Sequence, residues 1–343
     1  MPANKKVGIS DIAKHAGVSI GTVSNYLNYP ERVSDTLKAR ISSSIAKLGY
    51  VPRHSNAQIP RSSTTPIIGF VMTDIEHSLF TSIFEGAQEV CEDHGMQVIG
   101  LNALSDKQRQ SDMVRLLIQM NVTGILLSTV EDSPDDVAAA RAANIPIILI
   151  DHTNPQDADP VCSVMTDNVA VGQIAAAELI RTGCTRLAFL AHSFDYESVQ
   201  DRQLGAQKAV MLAGGSVSLE IIDSGGLYIE DGYEAGLHIA ERSADKRPDG
   251  IISVTDALGI GCINAFLAES NIHVPDDISV IGCENAKVEP VGTLPLTCVE
   301  PSAADIGRKA MTQLLDHIED ENAHVHATTL IKPTLIRRNS TRK

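Results

Sequence analysis

The sequence predicts a small all-helical head followed by an α/β core with two lobes, two parallel sheets and a cleft between the lobes. Three features indicate this architecture. Short amphipathic segments with helix caps fill residues 9–49 without a strand-like run. From Ile67 onward, apolar runs of strand length alternate with helical periods. This alternation occurs twice in succession, which is typical of two α/β lobes.

The head begins with Ile9–Asn28, in which two short helices flank a tight turn. Ser10 and Ser19 have side chains that cap helix N-termini. Gly17 stands where the chain leaves the first helix, because glycine enters left-handed backbone conformations without strain. The apolar face of the first helix comprises Ile9, Ile12, Ala13 and Ala16. We expect the second helix to pack against this face through Val18, Val23 and Leu27.

The second helix has an uncharged, mostly polar outer face, which comprises Ile20, Gly21, Thr22, Ser24 and Asn25. Such a face fits base edges and phosphates in a DNA major groove. The alternative interpretation is an ordinary helical hairpin in a core. A third helix is predicted between a cap at Ser34 and a stop at Gly49, with the apolar stripe Leu37, Ile41, Ile45 and Leu48.

The segment DIAKHAGVSIGTVSNYLN, followed by RVS and LGYVP, resembles the DNA-binding head of the lactose-repressor (LacI/GalR) family of transcription regulators. The resemblance implies a helix-turn-helix head that binds a double-stranded operator. The DNA-contacting positions are then Ser19, Ile20, Gly21, Thr22, Ser24, Asn25, Asn28 and Ile59. Asn25 replaces the Arg that most members carry, and asparagine pairs best with adenine, so we expect a different half-site.

A polar linker with three prolines, residues 51–66, follows the head. In the family this segment forms a hinge helix that enters the minor groove, where an apolar side chain wedges into the central base step. Ile59 stands at the wedge position, although Pro60 biases it away from α-helix. A disordered tether is the alternative.

The charge of the chain is unevenly distributed. Residues 1–63 contain nine Lys or Arg and three Asp or Glu, which gives this part a net charge of +6. Because the whole chain has a net charge of −15, the remainder has a net charge of −21. A basic head on an acidic body is typical of a protein that binds DNA with one end only. The N-terminus has no apolar secretion signal and no run approaches a membrane span, so we expect a cytoplasmic protein.

The predicted core elements alternate along the chain. The strands are expected at 67–72, 96–101, 124–128, 146–151, 161–165, 186–191, 220–223, 250–255, 278–283, 296–301 and 328–331. The first core helix is expected to begin with a cap at Ser78. Further helices are expected near 113–120 and at 135–143, 168–181, 198–212, 228–242, 258–269 and 303–318. Continuous apolar strands are buried on both faces, which predicts parallel sheets with right-handed crossovers.

The core motifs RLAFL, DDISVIG, PLTCVEPSAADIG and LIKPTLIRR also resemble the family, so the resemblance covers nearly the whole chain and implies a periplasmic-binding-protein-like core. The expected division has a head at 1–50 and a linker at 51–66. The N-terminal lobe is assigned to 67–163 with 296–322, and the C-terminal lobe to 164–295 with 323–340.

Ligands of open α/β sheets bind beyond the carboxyl ends of the strands. The residues at those ends predict a ring of carboxylates and amides around one arginine, with aromatic side chains available for stacking. Such groups bind the vicinal hydroxyls of a sugar. The candidate effector-binding residues are His77, Phe80, Asp151, Ser193, Arg202, Thr255, Asp256 and Glu284. By resemblance, Asp151, Arg202, Thr255 and Glu284 occupy the family's effector-contacting positions.

For three of these residues, a structural role without effector binding remains open. Asp151 and Arg202 could form an interlobe salt bridge, and Glu284 could be a solvated loop carboxylate. Arg202 is expected to lie off the inward stripe of its helix, which is predicted to comprise Leu204, Ala209 and Leu212.

No metal site or cofactor is expected. The six cysteines are scattered without a C-x-x-C motif and are expected to be reduced core residues. His324 and His326 could share one strand face, but two imidazoles without a third nearby ligand are more often surface groups. The basic tail is expected to be solvated, and no leucine heptad follows it.

The sequence therefore predicts a homodimeric transcriptional regulator, a repressor, that binds a near-palindromic operator and a small effector, a sugar or sugar derivative, in the cleft. Two other classes are weighed against it. A solute-binding receptor would share the lobes but would need an export signal and no basic head. An α/β enzyme would need a nucleophile or cofactor motif, and no P-loop, G-x-G-x-x-G after a strand, H-E-x-x-H or G-x-S-x-G occurs.

Overall fold

The chain divides into two units, Met1–Thr64 and Thr65–Lys343. In the computed structural model, the described residues are 9–28, 32–48, 65–75, 77–129, 131–153, 160–269, 271–286, 294–320 and 324–343. The linker at 51–66 therefore lies almost entirely outside the described residues. None of the helices in these ranges combines the length and apolar composition that a bilayer span needs.

Among its described residues, the first unit contains three short helices. These are α1 (Ile9–Ala16), α2 (Ile20–Asn28) and α3 (Asp35–Leu48). Their small core is formed by Ile12, Ala13, Ala16, Val23 and Ile41, with Ile9, Val18, Tyr26, Ile45 and Leu48 packed against it. The predicted apolar face of α1 is confirmed, and the stripe of α3 is confirmed at Ile41, Ile45 and Leu48.

The described residues of the second unit form two six-stranded sheets. The strands in chain order are β1 (Ile67–Met72), β2 (Gln97–Asn102), β3 (Gly124–Ser128), β4 (Ile147–Ile150), β5 (Cys162–Thr166), β6 (Arg186–Ala191), β7 (Ser218–Asp223), β8 (Gly250–Ser253), β9 (Ser279–Gly282), β10 (Thr297–Glu300), β11 (Thr328–Ile331) and β12 (Thr334–Ile336). The first sheet has the order β11-β5-β4-β3-β1-β2, and the second has the order β12-β10-β9-β8-β6-β7.

In the part of the chain that the structure describes, eight helices cover these sheets. They are α4 (Ser78–Asp93), α5 (Lys107–Gln119), α6 (Pro134–Ala142), α7 (Asn168–Arg181), α8 (Glu197–Leu212), α9 (Ile229–Ala240), α10 (Asp256–Glu269) and α11 (Ala303–Glu319). The helix α4 begins one residue after His77, which occupies its N-cap position, so the predicted cap at Ser78 is wrong by one residue. All pairs of neighbouring strands are parallel except β10 with β12.

The predicted lobe boundaries are wrong in three places. β10 was assigned to the first lobe, but it pairs with β9 in the second sheet. β11 was assigned to the second lobe, but it pairs with β5 in the first sheet. The expected boundary at 163/164 falls inside β5, which lies wholly in the first sheet. Short strands of similar composition can complete either sheet, so only long-range pairing decides where each belongs.

The basic tail is packed on the second sheet and is not a solvated end. Ser340 is fully buried, and its hydroxyl donates to the Val280 carbonyl and accepts from the Thr297 amide. Arg338 donates to the Leu296 carbonyl at 2.6 Å. Arg342 donates through Nε to the Pro275 carbonyl at 3.2 Å. The arginines of the tail therefore satisfy loop carbonyls that would otherwise need water.

Candidate functional sites

The outer face of α2 is shaped by its N-terminal cap. Ser19 Oγ accepts a hydrogen bond from the backbone N–H of Thr22 at 3.1 Å and lies 2.8 Å from the Thr22 hydroxyl. The cap predicted at Ser19 is confirmed. Val23 is fully buried beneath the helix, while Ile20 is 57% exposed. An exposed isoleucine on a capped helix is a group that can contact a thymine methyl.

The remaining predicted DNA-contacting residues lie on the same short helix or outside the described residues. Gly21 and Asn25 are exposed, and Thr22 and Ser24 are half-buried. Asn28 ends α2, and its side chain is outside what the structure describes, as is all of Ile59. The hinge helix and the wedge stay predictions for this reason.

The position of α2 depends on the turn that precedes it. Gly17 has φ +62°, the left-handed conformation that the sequence predicted. Arg40 of α3 donates from Nη2 to the Ala16 carbonyl at 2.7 Å, so it satisfies a C-terminal carbonyl of α1. A β-carbon at Gly17 would lie 2.8 Å from that same Nη2 atom. The turn and the arginine therefore fix each other, and together they set where α2 begins.

The second unit contains a cavity of about 520 Å³ at the carboxyl ends of the strands of both sheets. Every strand-end segment that borders it follows a parallel strand: β1, β2, β3, β4, β6, β7, β8 or β9. Of the eight predicted effector residues, six line the cavity: His77, Phe80, Asp151, Arg202, Thr255 and Glu284. Further lining groups include Asp74, Ser128, Thr129, His152, Tyr196, Glu197 and Tyr228.

Ser193 and Asp256 are the two candidates that do not line the cavity. Ser193 has φ +56°, and its carbonyl accepts the Tyr196 amide, so it forms the turn before α8. The carboxylate of Asp256 accepts the backbone N–H groups of Glu284 and Ala286 at 3.1 and 2.8 Å. Burial, followed by the charge of Glu284, raises the pKa of Asp256 to about 6. Both residues therefore shape the loops that carry other cavity residues.

Thr255 lines the cavity but its hydroxyl is committed to the fold. Its Oγ1 accepts the Leu258 amide at 3.2 Å, which caps α10, and it donates to the Leu227 carbonyl at 3.0 Å. A threonine at this strand end therefore contributes its methyl group to the cavity wall more readily than its hydroxyl.

Arg202 is buried, with 6% of its surface exposed, and is held by two strong hydrogen bonds. Its Nε donates to Asn168 Oδ1 at 2.9 Å and its Nη1 to the Val254 carbonyl at 2.8 Å. No ion pair joins it to Asp151, although both residues are described, so the alternative interpretation of these two residues as an interlobe salt bridge is wrong. Asn168, the first residue of α7, is a positioning residue that the sequence analysis missed.

The buried face of α8 also differs from the prediction. Its buried residues are Val199, Arg202, Gly205, Ala206 and Ala209, whereas Leu204 and Leu212 are exposed by 42% and 79%. The reason is close backbone packing between α7 and α8: a β-carbon at Gly205 would lie 2.0 Å from the Val169 carbonyl oxygen. Small residues allow this approach, so the smallest side chains mark the inward face instead of the leucines.

Two polar atoms at the cavity lack a hydrogen-bond partner among the described residues. They are Asp151 Oδ1 and His77 Nδ1, and both are buried. Asp151 has φ +53°, a strained conformation for a residue with a side chain. Burial raises the pKa of Asp151, while the nearby Arg202 charge lowers it. Buried polar atoms without partners are costly, and a bound ligand is one way to satisfy them.

Two contacts join the lobes across the cavity. His77 Nε2, on the first lobe, lies 2.8 Å from Glu284 Oε1, on the second. The Thr153 hydroxyl, on the first lobe, donates to the carboxylate of Glu197 at 2.9 Å. The side chain of Glu284 is only 9% exposed, so the interpretation as a solvated loop carboxylate is wrong. Thr153 and Glu197 were not predicted, because nothing local marks a threonine after a strand as a bridging group.

His77 and Glu284 each stabilise the ionised form of the other. The Glu284 carboxylate raises the pKa of His77 above 6.5, against the effect of burial. Burial alone would raise the pKa of Glu284, but His77 and Arg202 together lower it below its ordinary value. The pair is therefore an imidazolium–carboxylate bridge between the lobes at mildly acidic pH.

Comparisons with known proteins agree with this architecture. Residues 8–53 match the family of bacterial regulatory proteins called the lacI family, and residues 176–341 match a periplasmic binding protein-like domain. The HTH-type transcriptional repressor PurR of Glaesserella parasuis serovar 5 (strain SH0165) is 30% identical over 315 residues, which cover 92% of this chain and 91% of that protein.

The solved structures that share the fold include two that contain a bound ligand. The lac repressor dimer bound to operator and the anti-inducer ONPF has a TM-score of 0.70 with 21% identity, and the match covers 99% of this chain and 100% of that one. The transcriptional regulator CelR in complex with cellobiose has a TM-score of 0.68 with 23% identity, and the match covers 98% of this chain and 100% of that one.

The head, the two-lobed core and the relatives lead to one assignment. The PurR relative extends over nearly the whole of both chains, so the similarity is not confined to the head. Its name describes a transcriptional repressor and not an enzyme. The chain belongs to the lacI family of bacterial regulatory proteins, and it is a DNA-binding transcriptional repressor.

Proposed function

We propose that this repressor acts in the cytoplasm as a homodimer on a near-palindromic operator, and that a small, neutral, polyhydroxylated metabolite in the cleft controls its DNA affinity. A sugar or sugar derivative is the class of effector that the cleft fits best. The observation that carries this proposal is the pair of buried cavity atoms without partners among the described residues, Asp151 Oδ1 and His77 Nδ1. A hydroxyl group can satisfy either atom, because it both donates and accepts.

The other lining groups support a polyhydroxylated ligand. Ser128 and Thr129 line the cavity, although their hydroxyls bond Thr73 and the Glu131 carbonyl, and Glu197 adds carboxylate oxygens at another strand end. Phe80, Tyr196 and Tyr228 add aromatic surfaces on which the apolar face of a sugar ring can pack. A pocket of about 520 Å³ is within the range that holds a small organic ligand.

The charges around the cavity favour a neutral ligand over a phosphorylated one. Among the described lining residues, Asp74, Asp151, Glu197 and Glu284 are acidic, whereas Arg202 is the one arginine and no lysine is present. Two donors of Arg202 already bind Asn168 and Val254. A phosphate would therefore approach a surplus of acidic side chains, and two of the five donors of the one described lining arginine are already used.

The related structures are consistent with an effector of this class. The CelR structure is a cellobiose complex, and the lac repressor structure contains operator DNA and an anti-inducer. We propose that in this chain the head binds DNA and the core binds a carbohydrate.

On the DNA side, we propose that each head of the dimer reads one half-site. Ile20 and Asn25, both exposed on α2, contact base edges, and Ser19, Gly21, Thr22, Ser24 and Asn28 contact bases or the backbone. Ile59 is the proposed wedge between central base steps. The symmetry of two identical heads is what requires a near-palindromic operator.

Effector control requires different affinities in two conformations. The contacts His77–Glu284 and Thr153–Glu197 hold the two lobes together across the cavity. A ligand that bridges the same groups shifts the balance between closed and open lobes. We propose that this shift changes the spacing of the two linkers, and so changes whether both heads reach their half-sites.

The test combines ligand screening with operator binding. Thermal unfolding of the full chain is followed with neutral mono- and disaccharides, the corresponding sugar phosphates and planar nucleobases. We expect a neutral sugar to raise the melting temperature, because a ligand that binds only the folded state stabilises it. The same sugar must change the affinity for an operator fragment taken from beside the gene.

Asp151→Asn is the diagnostic variant, and Asp195→Asn, in the turn that precedes α8, is its matched control. Loss of the sugar-induced shift in the first variant alone supports the proposal. A shift produced by sugar phosphates or nucleobases and not by neutral sugars would reject the effector class. Binding of a neutral sugar without any change in operator affinity would reject effector control.

A further inference from the structure

Three imidazoles and a thiol meet at the edge of the first sheet, away from the effector cleft. Cys162 Sγ lies 3.1 Å from His324 Nε2 and 3.5 Å from His326 Nδ1. The ligand atoms of these three residues all lie within 4.8 Å of one another. The ring of His317 stacks on that of His324, with 4.5 Å between centroids, and stands edge-on to His326 at 5.2 Å.

The backbone brings these residues together from separate segments. Cys162 is the first residue of β5, and His324 and His326 precede β11, which pairs with β5 in parallel register from Ser163 and Thr328. Val325 between the two histidines is 79% exposed, while both imidazoles are half-buried. The alternation of an extended chain therefore turns both imidazoles to the side on which the thiol lies. His317 comes from the last turns of α11.

We propose that Cys162, His324 and His326 form a binding site for a transition-metal ion, Zn²⁺ by preference, with His317 beside the open coordination position. The sequence analysis set the two histidines aside because no third ligand was visible. Folding supplies that ligand 162 residues earlier in the chain.

The distances fit a tetrahedral ion. With Zn–S of about 2.3 Å and Zn–N of about 2.0–2.1 Å, tetrahedral angles place sulfur and nitrogen roughly 3.6 Å apart. The observed separations of 3.1 and 3.5 Å are close to this value. A thiolate with two imidazoles selects Zn²⁺ over Mg²⁺ or Ca²⁺, which prefer oxygen ligands.

The cluster does not resemble an activated cysteine. Cys162 is fully buried, and burial raises the pKa of its thiol, whereas a reactive cysteine is accessible and has a lowered pKa. Burial and the neighbouring imidazoles of His317 and His324 lower the pKa of His326, which favours the neutral form of the ring that binds metals. A metal would have to displace the thiol proton on binding.

The site is separate from the effector cleft. Cys162 lies at the amino end of β5, and the cavity lies at the carboxyl ends of the strands, a distance of one strand of five residues, about 13–16 Å. The ion would join β5, the segment before β11 and the end of α11. The carboxyl end of β5 leads to α7, and that of β11 leads to β12 in the second sheet. A bound metal would therefore fasten two strands that continue into the other lobe.

The experiment uses the full chain without a histidine tag, stripped with a chelator. Calorimetric titration with Zn²⁺ is expected to show one tight site per chain. Substitution with Co²⁺ is expected to give an absorption band for thiolate-to-metal charge transfer, which a histidine-only surface site cannot produce. Zn²⁺ is also expected to raise the melting temperature.

Matched variants assign the ligands. Cys162→Ser is compared with Cys91→Ser, another buried cysteine of the same lobe, which contacts Met311 and no imidazole. His324→Ala is compared with His273→Ala, an exposed histidine that contacts Asp277. We expect Cys162→Ser and His324→Ala to lower Zn²⁺ affinity by at least about 10–100-fold, the loss that even indirect partners of a ligand cause.

Two results would overturn the site. One is a Co²⁺ complex without the charge-transfer band, or with a band that persists in Cys162→Ser. The other is equal Zn²⁺ affinity in Cys162→Ser and Cys91→Ser. Since His324 and His326 are half-buried and lie outside regular elements, His324→Ala keeps the test decisive if the cysteine variant folds poorly.

Discussion

His77 and Glu284 form an ion pair of 2.8 Å that joins the two lobes on opposite sides of the ligand cavity. His77 occupies the N-cap position of α4, and Glu284 follows β9. The pair leaves His77 Nδ1 without a partner among the described residues. One imidazole therefore serves two purposes in our proposal: its Nε2 side holds the lobes together, and its Nδ1 side is available to an effector.

The first prediction concerns the pH dependence of this bridge. Glu284 raises the pKa of His77 above 6.5, so the stabilisation is complete below pH 6.5 and is lost as the pH rises through the raised pKa. We expect the melting temperature of the wild type to fall over this range by more than that of His77→Gln. Thermal unfolding at several pH values measures the difference.

The control for this experiment is His273→Gln, which removes an exposed imidazole 3.2 Å from Asp277 and leaves the cavity intact. It should follow the wild-type pH profile. If His77→Gln also follows that profile, the His77–Glu284 pair does not contribute to the pH dependence of the stability.

The second prediction concerns Arg202. Truncation to alanine leaves Asn168 Oδ1 and the Val254 carbonyl without their donor in a buried site. We expect Arg202→Ala to lower the free energy of unfolding by about 1–3 kcal/mol, as unsatisfied buried groups do, in addition to any loss of effector binding. Arg202→Lys should restore little, because a single ammonium cannot reproduce the two directed donors of the guanidinium.

Urea unfolding of the full chain measures this change, with Arg242→Ala as the control. Arg242 pairs with Glu220 at the surface, so its loss should cost no more than about 1 kcal/mol. Equal stability of Arg202→Ala and the wild type would show that Arg202 acts on the effector alone, which was our expectation from the sequence.

Most of the fold could be predicted from the sequence, because the core strands are continuous apolar runs that are bounded by polar turn residues. The bounds of β1, β3, β6, β11 and α7 are those expected, and the other core elements that were predicted differ at their ends. β12 was missed, because three residues after a proline give no periodic signal. The pairing partners of β10 and β11 were assigned to the wrong lobes, since the choice of sheet depends on contacts between segments far apart in the chain.

The candidate site was predicted to the level of the strand ends and no further. Six of eight named residues line the cavity, because their position after a parallel strand places them at one edge. What each side chain bonds to was not predictable: pairing of Arg202 with Asp151 was one interpretation left open, but Arg202 is held by Asn168, and Asp256 binds loop amides. Such partners are set by packing, as the close approach of α7 and α8 illustrates.

The third prediction concerns the turn of the head. Gly17→Ala places a β-carbon in a left-handed residue and 2.8 Å from Arg40 Nη2. We expect a loss of about 1–2 kcal/mol in head stability from the backbone conformation alone, with further loss if Arg40 leaves the Ala16 carbonyl. Hydrogen exchange of the head amides in the full chain measures it.

Gly21→Ala is the matched control for this change. Gly21 lies in α2, and a β-carbon there would meet only Ser19 Oγ at an ordinary 3.7 Å. Alanine in a helix should slow exchange or leave it unchanged. Faster exchange in Gly21→Ala than in Gly17→Ala would contradict the described turn.

The fourth prediction concerns operator recognition. Asn25 is exposed on α2 and can bind adenine N6 and N7 with two hydrogen bonds. We expect Asn25→Ala to weaken operator binding by about 1–3 kcal/mol and to relax the preference at one base pair in each half-site. Fluorescence anisotropy on the operator and on single-base variants measures both effects. The same loss on unrelated DNA would show that Asn25 contacts a phosphate instead.

The last prediction concerns the attachment of the C-terminal segment in acid. The Glu178 carboxylate of α7 accepts two hydrogen bonds from Arg181 and two from Arg337, at 2.7–3.0 Å. The bonds from Arg181, followed by those from Arg337, lower the pKa of Glu178 from 4.5 to about 2. The side chain of Glu178 is 2% exposed, so solvent screens these bonds less than at an open surface.

A lowered pKa in the folded state stabilises the protein above the unfolded value of 4.5, and this stabilisation is lost as the pH falls from 4.5 toward 2. We therefore expect the urea midpoint of the wild type to fall more between pH 5 and pH 3 than that of Glu178→Gln. Glu89→Gln is the control, because Glu89 pairs with Arg308 at the surface and its carboxylate is 62% exposed. If Glu178→Gln and Glu89→Gln lose stability in parallel with the wild type, Arg337 does not anchor the tail through Glu178.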